Sequence, residues 1–332
     1  MKETSVLVTG AGGELGTALI AHLIAGGSKV VALDLNEAFQ PPADSVTVVH
    51  GDICDEKRIS QLFIEYDFPV VFHFAALLSS AAEKNPFLSQ RVNIDATSFL
   101  IEQAYEQGKH RGEPTRFIFP SSIAIYGSPD RNQLRQPLTE NDCLHPETLY
   151  GIQKLFIEQI GSYFTKRGSG QFLDFRSLRY PGLISIDTLP TGGTSDYAAE
   201  MLHHANDGKS YECFVSPEAA LPFMTMPDAV RAMIMLAEAS AESLSRRVYN
   251  VRGFSVTAEQ LRDEVLHYYP NADLRYNPVE WRDDVVNSWP DDIDDSLAGC
   301  DWGWKPEHDV KRAFTDYFLP GLKREQLKVS AG

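Results

Sequence analysis

Through the first 180 residues, short apolar runs rich in β-branched residues alternate with longer stretches whose apolar positions recur every three to four residues. The runs Ser5–Thr9, Lys29–Asp34, Ser45–Val49, Val70–Phe74, Arg116–Pro120 and Phe172–Leu178 have the length and residue types of strands. Between them, Glu14–Ala25, Glu56–Tyr66, Phe87–Gln107 and Leu149–Lys166 carry helical spacing. Strand and helix in alternation predict an α/β fold with a doubly wound parallel sheet covered on both faces. Past Pro181 the rhythm loosens. Thr191-Gly192-Gly193-Thr194 reads as a loop, Ser195–Asn206 and Pro227–Ala239 as helices, and Arg247–Val251 as a strand returning to the main sheet. The pattern divides the chain into a nucleotide-binding domain over residues 1–180, completed by the strand near 247–251, a smaller α/β lobe over 181–320 interleaved with it, and a C-terminal tail over 321–332.

An apolar content of 43% with 23% charged residues excludes disordered and fibrous classes. A formal net charge of −16 and a pI near 5.0 provide no electrostatic footprint for nucleic acid or an anionic membrane. Small-molecule chemistry is expected instead, with no nucleic-acid and no membrane partner. Between Leu183 and Cys300 there are 8 Lys and Arg against 20 Asp and Glu, so the second lobe holds most of the acidity. No apolar run is long enough for a membrane span or shaped like a signal peptide. Cys54, Cys143, Cys213 and Cys300 are far apart, and the one His pair, His203 and His204, reads as helix surface, so no metal site is expected. A reducing, cytoplasmic setting is the simplest expectation.

Immediately after the first strand, Thr9-Gly10-Ala11-Gly12-Gly13-Glu14-Leu15-Gly16 opens a helix. Glycines in this place permit a tight turn, close backbone approach to a pyrophosphate and close packing of helix on strand, while the helix N-terminus favours an anion. The context is that of a Rossmann-type dinucleotide site. Asp34 ends the second strand, where a carboxylate can accept hydrogen bonds from the adenosine ribose and repel a 2′-phosphate, so NAD is preferred over NADP. It can also serve as a strand-end turn residue. Asp52 and Ile53, after the third strand, fall near the adenine, with a turn-forming role for Asp52 as the alternative.

Tyr150 and Lys154 lie one helical turn apart on a predicted helix, and a neighbouring cation is expected to lower the phenol's pKa enough for it to act as a base. Ser121-Ser122-Ile123-Ala124-Ile125-Tyr126-Gly127 follows the fifth strand and brings a serine hydroxyl to the carboxyl edge of the sheet, where ligands bind in this class of fold.

Glycine turn, serine and Tyr-Lys pair together resemble the extended short-chain dehydrogenase/reductase family, which also contains nucleotide-sugar epimerases and dehydratases. The spacing of Gly10, Gly13 and Gly16 is the extended-subgroup form. The resemblance implies that Tyr150 is the base, that Lys154 also holds the nicotinamide ribose, and that Ser122, rather than Ser121, orients the reacting oxygen. It places Asn93 where the family orders the site through backbone contacts, although a helix-surface Asn would read alike, and it implies that Ala75 and Leu183 also line the cofactor. It further implies a homodimer, with Phe87–Gln107 and Leu149–Lys166 pairing with their symmetry mates.

The stretches Arg179–Ser185, Gly192–Ala198, Leu221–Ala229, Ser288–Pro290, Ile293–Ser296 and Asp301–Trp304 are similar to a branch of that family that oxidises the C3 hydroxyl of L-threonine to 2-amino-3-ketobutyrate. This likeness implies that Gly193 and Thr194 contact the amino acid, that Ser80 borders the pocket and that Trp289 closes it. Thr194 as a helix cap and Trp289 as ordinary core are the alternatives, and Trp302 and Trp304 read as packing. The chain departs from the branch at Pro190-Thr191-Gly192-Gly193, where three glycines usually follow the proline, and at Lys109–Pro114, which looks like a polar surface insertion. A sugar epimerase would need cations in the second lobe for a diphosphate, Arg231 being one candidate. A non-catalytic NAD-sensing scaffold is the other alternative, one that does not need the Tyr-Lys pair retained here.

Overall fold

The apolar runs form strands at the expected places, and the order in which they pair follows from their linking helices. In a computed structural model that describes residues 2–41, 43, 45–167, 171–186 and 193–324, the chain runs β1 (Glu3–Thr9), α1 (Glu14–Ala25), β2 (Val30–Asp34), β3 (Val46–His50), α2 (Glu56–Glu65), β4 (Tyr66–His73), α3 (Ser79–Lys84), α4 (Pro86–Gln90), a widened π-type stretch (Arg91–Ala96), α5 (Thr97–Arg111), β5 (Thr115–Ser122), α6 (Leu149–Arg167) and β6 (Leu173–Tyr180). It continues through β7 (Gly182–Ile184), α7 (Tyr197–Asn206), β8 (Tyr211–Cys213), β9 (Ala220–Thr225), α8 (Met226–Glu238), β10 (Val248–Asn250), β11 (Phe254–Thr257), α9 (Ala258–Tyr268), β12 (Leu274–Tyr276), α10 (Glu280–Asn287), α11 (Ser296–Trp302), α12 (Val310–Arg312) and a second π-type stretch (Ala313–Phe318).

The main sheet has the order β3-β2-β1-β4-β5-β6-β10, a doubly wound arrangement with its switch point between β1 and β4. The pairings β1–β2, β1–β4, β2–β3 and β4–β5 are parallel. Strand β10 supplies the returning strand expected near 247–251. Two compact units divide the chain. The first contains the residues up to Ser122, Leu149–Arg179 and Ala232–Tyr249; the second contains Ile123–Thr148, Tyr180–Arg231 and the described residues from Asn250 onward. The expected 1–180 domain is therefore interrupted, because Ile123–Thr148 packs with the second unit.

The first unit's core gathers Leu7, Val31, Phe68, Phe117, Ile157 and Phe175, and the alternate strand residues Val8, Ala32 and Ile118 are buried as well, so both faces of the sheet are covered. Each such side chain contributes roughly 1.5–3 kcal/mol by leaving water. Helix α6 lies close on the sheet because Gly161 has no side chain: a Cβ there would fall 2.3 Å from the Phe175 ring. The second unit is built on a three-stranded sheet, β11-β9-β7, and a two-stranded one, β12-β8. Tyr197, Phe214, Phe223 and Phe254 form its aromatic centre, with ring centroids 5.8–6.3 Å apart.

Several expectations are corrected. Phe87–Gln107 is not one regular helix: it widens over Arg91–Ala96, and α5 then runs on to Arg111. A widened stretch of this kind is common at functional sites, and here it carries Asn93. Lys109–Arg111 forms the last turn of α5, ended by Gly112 in a left-handed cap, and the polar stretch to Pro114 lies at the surface as expected. His203 is buried, since α7 turns that side inward. The expected tail starts late, because residues 321–324 are helical and Leu322 is fully buried; residues 325–332 lie outside the described residues, as do Pro190, Thr191 and Gly192.

Candidate active site

The glycine turn joins β1 to α1. Gly10 has φ +64, and a Cβ there would lie 2.5 Å from the Ala75 nitrogen, so this position needs glycine twice over. Gly13 is the N-cap residue, Glu14 and Leu15 open the helix, and Gly16 is buried in its first turn. Asp34 is a strand-end turn residue, the second of the two readings given for it: Oδ1 accepts from the Asn36 N–H at 2.8 Å, and Oδ2 accepts from the Gly12 N–H at 2.7 Å, tying the strand end to the glycine turn. A cradle too tight for side chains, set at a helix N-terminus and flanked by a carboxylate, fits a dinucleotide. Asp52 forms a turn by accepting from the Cys54 N–H, and its charge adds to burial in pushing the Cys54 thiol up to about 11. Ile53 beside it is buried.

Behind the turn, Thr9 and Thr97 sandwich His73, with Oγ1 atoms 2.6 Å from Nδ1 and 2.8 Å from Nε2. Burial, reinforced by Lys154, lowers His73 to about 3, so the ring is neutral. Asn93 accepts from the Leu77 N–H at 2.8 Å and donates to the Leu77 carbonyl at 2.9 Å and to Gln153 Oε1 at 2.7 Å. It is thus a buried backbone clamp and not a surface residue. Gln153 in turn donates to Ser89. A cavity of about 10 Å³, lined by Lys154, Asn93, Gln153, Thr97 and neighbours, has room for about one water.

Tyr150 and Lys154 occupy the first two turns of α6. Lys154 is 4% exposed and donates to the Pro120 carbonyl at 2.6 Å; its Nζ lies 4.3 Å from the Phe119 ring centre and 5.4 Å from that of Tyr150. Ser122, two residues on, ends β5. Burial raises the Tyr150 phenol above its ordinary value, against the expectation that Lys154 lowers it. The same burial lowers Lys154 to about 7, partly opposed by Glu158. Desolvation is thus the larger effect on both groups, and it outweighs the cation's pull on the phenol. Ser121 donates to Glu158, which separates it from the role expected of Ser122. Glu83 accepts from the Leu149 N–H at 2.7 Å, linking α3, which carries Ser80, to the start of α6.

The remaining candidates belong to the second unit. Leu183 is at the middle of β7, paired with Met224. Gly193 donates its N–H to Asp196 Oδ2 at 2.6 Å, and its carbonyl accepts from Arg282 on α10 at 2.8 Å. The N-cap position of α7 falls on Asp196, whose side chain makes no capping bond to the helix. Trp289 follows α10 and is buried. Trp304 is also buried, donating to Asp295 at 3.0 Å, as its packing role requires. Arg231 is engaged with Asp228, Glu307 and the Lys305 carbonyl. Among the described residues no His, Cys, Asp and Glu cluster could hold a metal, and no helix is long and apolar enough to cross a membrane. The partners Gln153, Glu83, Glu158 and Arg282 were not singled out from sequence. Only Glu158 left a signal there, as a third chemically apt residue in the row Tyr150, Lys154, Glu158.

A glycine turn after β1, a serine at the end of β5 and a Tyr-Lys pair on the following helix define an NAD-dependent oxidoreductase of the doubly wound class. The chain belongs to the NAD dependent epimerase/dehydratase family, whose model matches residues 6–251. It is 36% identical over 312 residues to a mitochondrial L-threonine 3-dehydrogenase of Bos taurus, covering 93% of this chain and 80% of that protein. Among solved structures, it resembles a GalE-like L-threonine dehydrogenase from Cupriavidus necator in its holo form, with a TM-score of 0.86 and 33% identity over 95% of this chain and 99% of that one. A monomeric L-threonine 3-dehydrogenase from a metagenome matches at a TM-score of 0.85 and 35% identity, over 96% and 99% of the two chains.

Proposed function

We propose that this protein oxidises the C3 hydroxyl of L-threonine to 2-amino-3-ketobutyrate, with NAD as acceptor. The observation that carries the chemistry is the placement of Tyr150 and Lys154 on successive turns of α6, with Lys154 anchored to the Pro120 carbonyl two residues before Ser122. The choice of substrate rests on the likeness to L-threonine 3-dehydrogenases across most of the chain.

In this reading Gly10, Gly12, Gly13, Glu14, Leu15 and Gly16 receive the pyrophosphate through backbone groups, and Asp34 takes the adenosine ribose and disfavours a 2′-phosphate. Asp52 and Ile53 border the adenine, while Ala75, Asn93, Leu183, Tyr150 and Lys154 serve the rest of the cofactor. When bound, NAD supplies the hydride acceptor, C4 of its nicotinamide ring. Tyr150, ionised, takes the proton of the substrate hydroxyl; charged Lys154 favours that phenolate, and Ser122 hydrogen-bonds the same oxygen and fixes its angle. Ser80, Gly193, Thr194 and Trp289 shape the amino-acid pocket, Gly193 through the form of its loop, since both its backbone groups already have partners.

A homodimer is part of the same reading. The large apolar side chains Phe87, Leu88, Ile152, Phe156 and Tyr163 are exposed on α4 and α6, Phe87 at 84%, a face suited to a second copy. Cytoplasmic placement is consistent with four free cysteines. Incubation with NAD and L-threonine, following absorbance of the reduced cofactor, should give turnover, and NADP should give much less. Conversion of a UDP-sugar without threonine oxidation would sink the substrate assignment.

A further inference from the structure

The face of α6 that carries Tyr150 and Lys154 continues one turn further to Glu158, which is 1% exposed. A carboxylate at that depth is costly unless fully partnered. Its partners come from two strands. Ser121 at the end of β5 donates to Oε1, and Arg179 at the end of β6, itself buried, donates from Nε to Oε1 at 3.0 Å and from a terminal nitrogen to Oε2 at 2.7 Å. One turn nearer the helix start, Lys154 grips the Pro120 carbonyl. Consecutive residues of β5 are therefore bound to consecutive turns of α6, and Ser122 is the next residue along.

We propose that Glu158, clamped by Ser121 and Arg179, is a positioning residue that sets the register of the strand end carrying Ser122 against the helix turns carrying Tyr150 and Lys154. Among the described residues its carboxylate is also the one anionic group on this helix face beside Lys154. The other charged or titratable groups facing that ammonium are Tyr150 on the same helix and neutral His73 on β4, while Arg179 on β6 answers Glu158. The carboxylate opposes the loss of the lysine proton. Removing it while Arg179 stays should let the Tyr150–Lys154 pair release its proton at lower pH. The role rests on the oxidoreductase reading of the trio, but not on which hydroxyl is oxidised.

The test compares wild type with Ser121→Ala, Glu158→Gln and the charge-balanced double change Glu158→Gln with Arg179→Met, each loaded with NAD. Two readouts are needed: kcat and KM for L-threonine against pH, and the phenolate absorbance of Tyr150, taken as the difference from Tyr150→Phe. Glu158→Gln should lower kcat on the order of 10- to 100-fold, as small misplacements of catalytic groups do, leave KM nearly unchanged, and move both the acid limb of kcat and the phenolate titration to lower pH. The double change should return the titration toward wild type while kcat stays low, separating charge from alignment. Ser121→Ala, which leaves the ion pair in place, should cost several-fold in kcat with no shift; with the double change it carries the test if Glu158→Gln does not fold. An unmoved titration in Glu158→Gln, or kcat losses that track thermal stability alone, would overturn the proposal. If threonine is not oxidised at all, the substrate assignment fails, and the phenolate titration, which needs no substrate, still decides the role of Glu158.

Discussion

In the first unit Gly10, Ser122, Tyr150 and Lys154 sit where a strand ends or a helix begins, whereas in the second unit Gly193, Thr194 and Trp289 sit in connections. Tyr150 and Lys154 are fixed by the turns of α6, Ser122 by the end of β5, and Gly10 by a backbone conformation open to few residues. Gly193 depends on a partner brought from elsewhere in its own unit, Arg282 on α10. Regular elements transmit register over several residues, so one misplaced atom disturbs the chemistry. Loops held by a few contacts transmit less, so the same disturbance there should alter affinity. The two units are expected to divide kcat from KM.

The largest effect should come from Tyr150→Phe, which removes the proton acceptor and little volume. Turnover should fall roughly 10³-fold or more, near the upper range for a general base, while the NAD dissociation constant from a fluorescence titration changes little. Retained activity would remove Tyr150 from the mechanism. Gly10→Ala should come next. A methyl group 2.5 Å from the Ala75 nitrogen, at φ +64, cannot be accommodated without moving the turn. NAD affinity should weaken at least about 10-fold, given the 1–2 kcal/mol penalty of a left-handed residue before any clash is counted, with circular dichroism showing a folded chain. Normal NAD affinity in that variant would mean that the turn does not hold the cofactor.

Arg282→Met tests the second unit. Its guanidinium stacks on Phe214 and donates to the Gly193 carbonyl. Losing a charged hydrogen bond of this kind costs about 1.5–3 kcal/mol, so KM for L-threonine should rise on the order of 10-fold with kcat within a factor of a few. A fall in kcat with KM unchanged would break the proposed division between units.

The same contrast governs what could be read without coordinates. The trio, the glycine turn and Asp34 lie at spacings set by local geometry; strand–helix alternation assigned them to their elements, and the family resemblance singled out the trio. The clamp on Leu77 by Asn93, the capping of α6 by Glu83 and the hold of Arg282 on Gly193 join residues 16 to 89 positions apart, and no local pattern encodes such pairs. The break at Arg91–Ala96 was hidden for a related reason. Its sequence has ordinary helical spacing, and the widening accompanies tertiary bonds made by Asn93. The phenol's expected downward shift failed because spacing conveys proximity of charge but not the loss of water, which here is the larger effect.

That loss of water leads to the smallest predicted effect and to the subtlest test of the first unit. Lys154 in the folded apoprotein releases its proton near about 7, below the ordinary value of 10.5 that the unfolded chain retains. Between those values the unfolded chain binds more protons than the folded one, so this group makes stability rise with pH across the window. Below about 7 the cost of burying the ammonium is paid in full; above 10.5 it vanishes. Lys154→Met removes the charge and keeps much of the packed stem. The apo variant should therefore melt a few degrees higher than wild type near pH 7, its advantage shrinking as pH rises toward 10, while its catalytic activity is lost. A variant that is less stable at neutral pH would mean that the bond to the Pro120 carbonyl and the contact with Phe119 outweigh desolvation. The lysine would then be a structural support of the helix as well as a partner of Tyr150, and the strict assignment of the first unit's α6 face to chemistry would have to be relaxed.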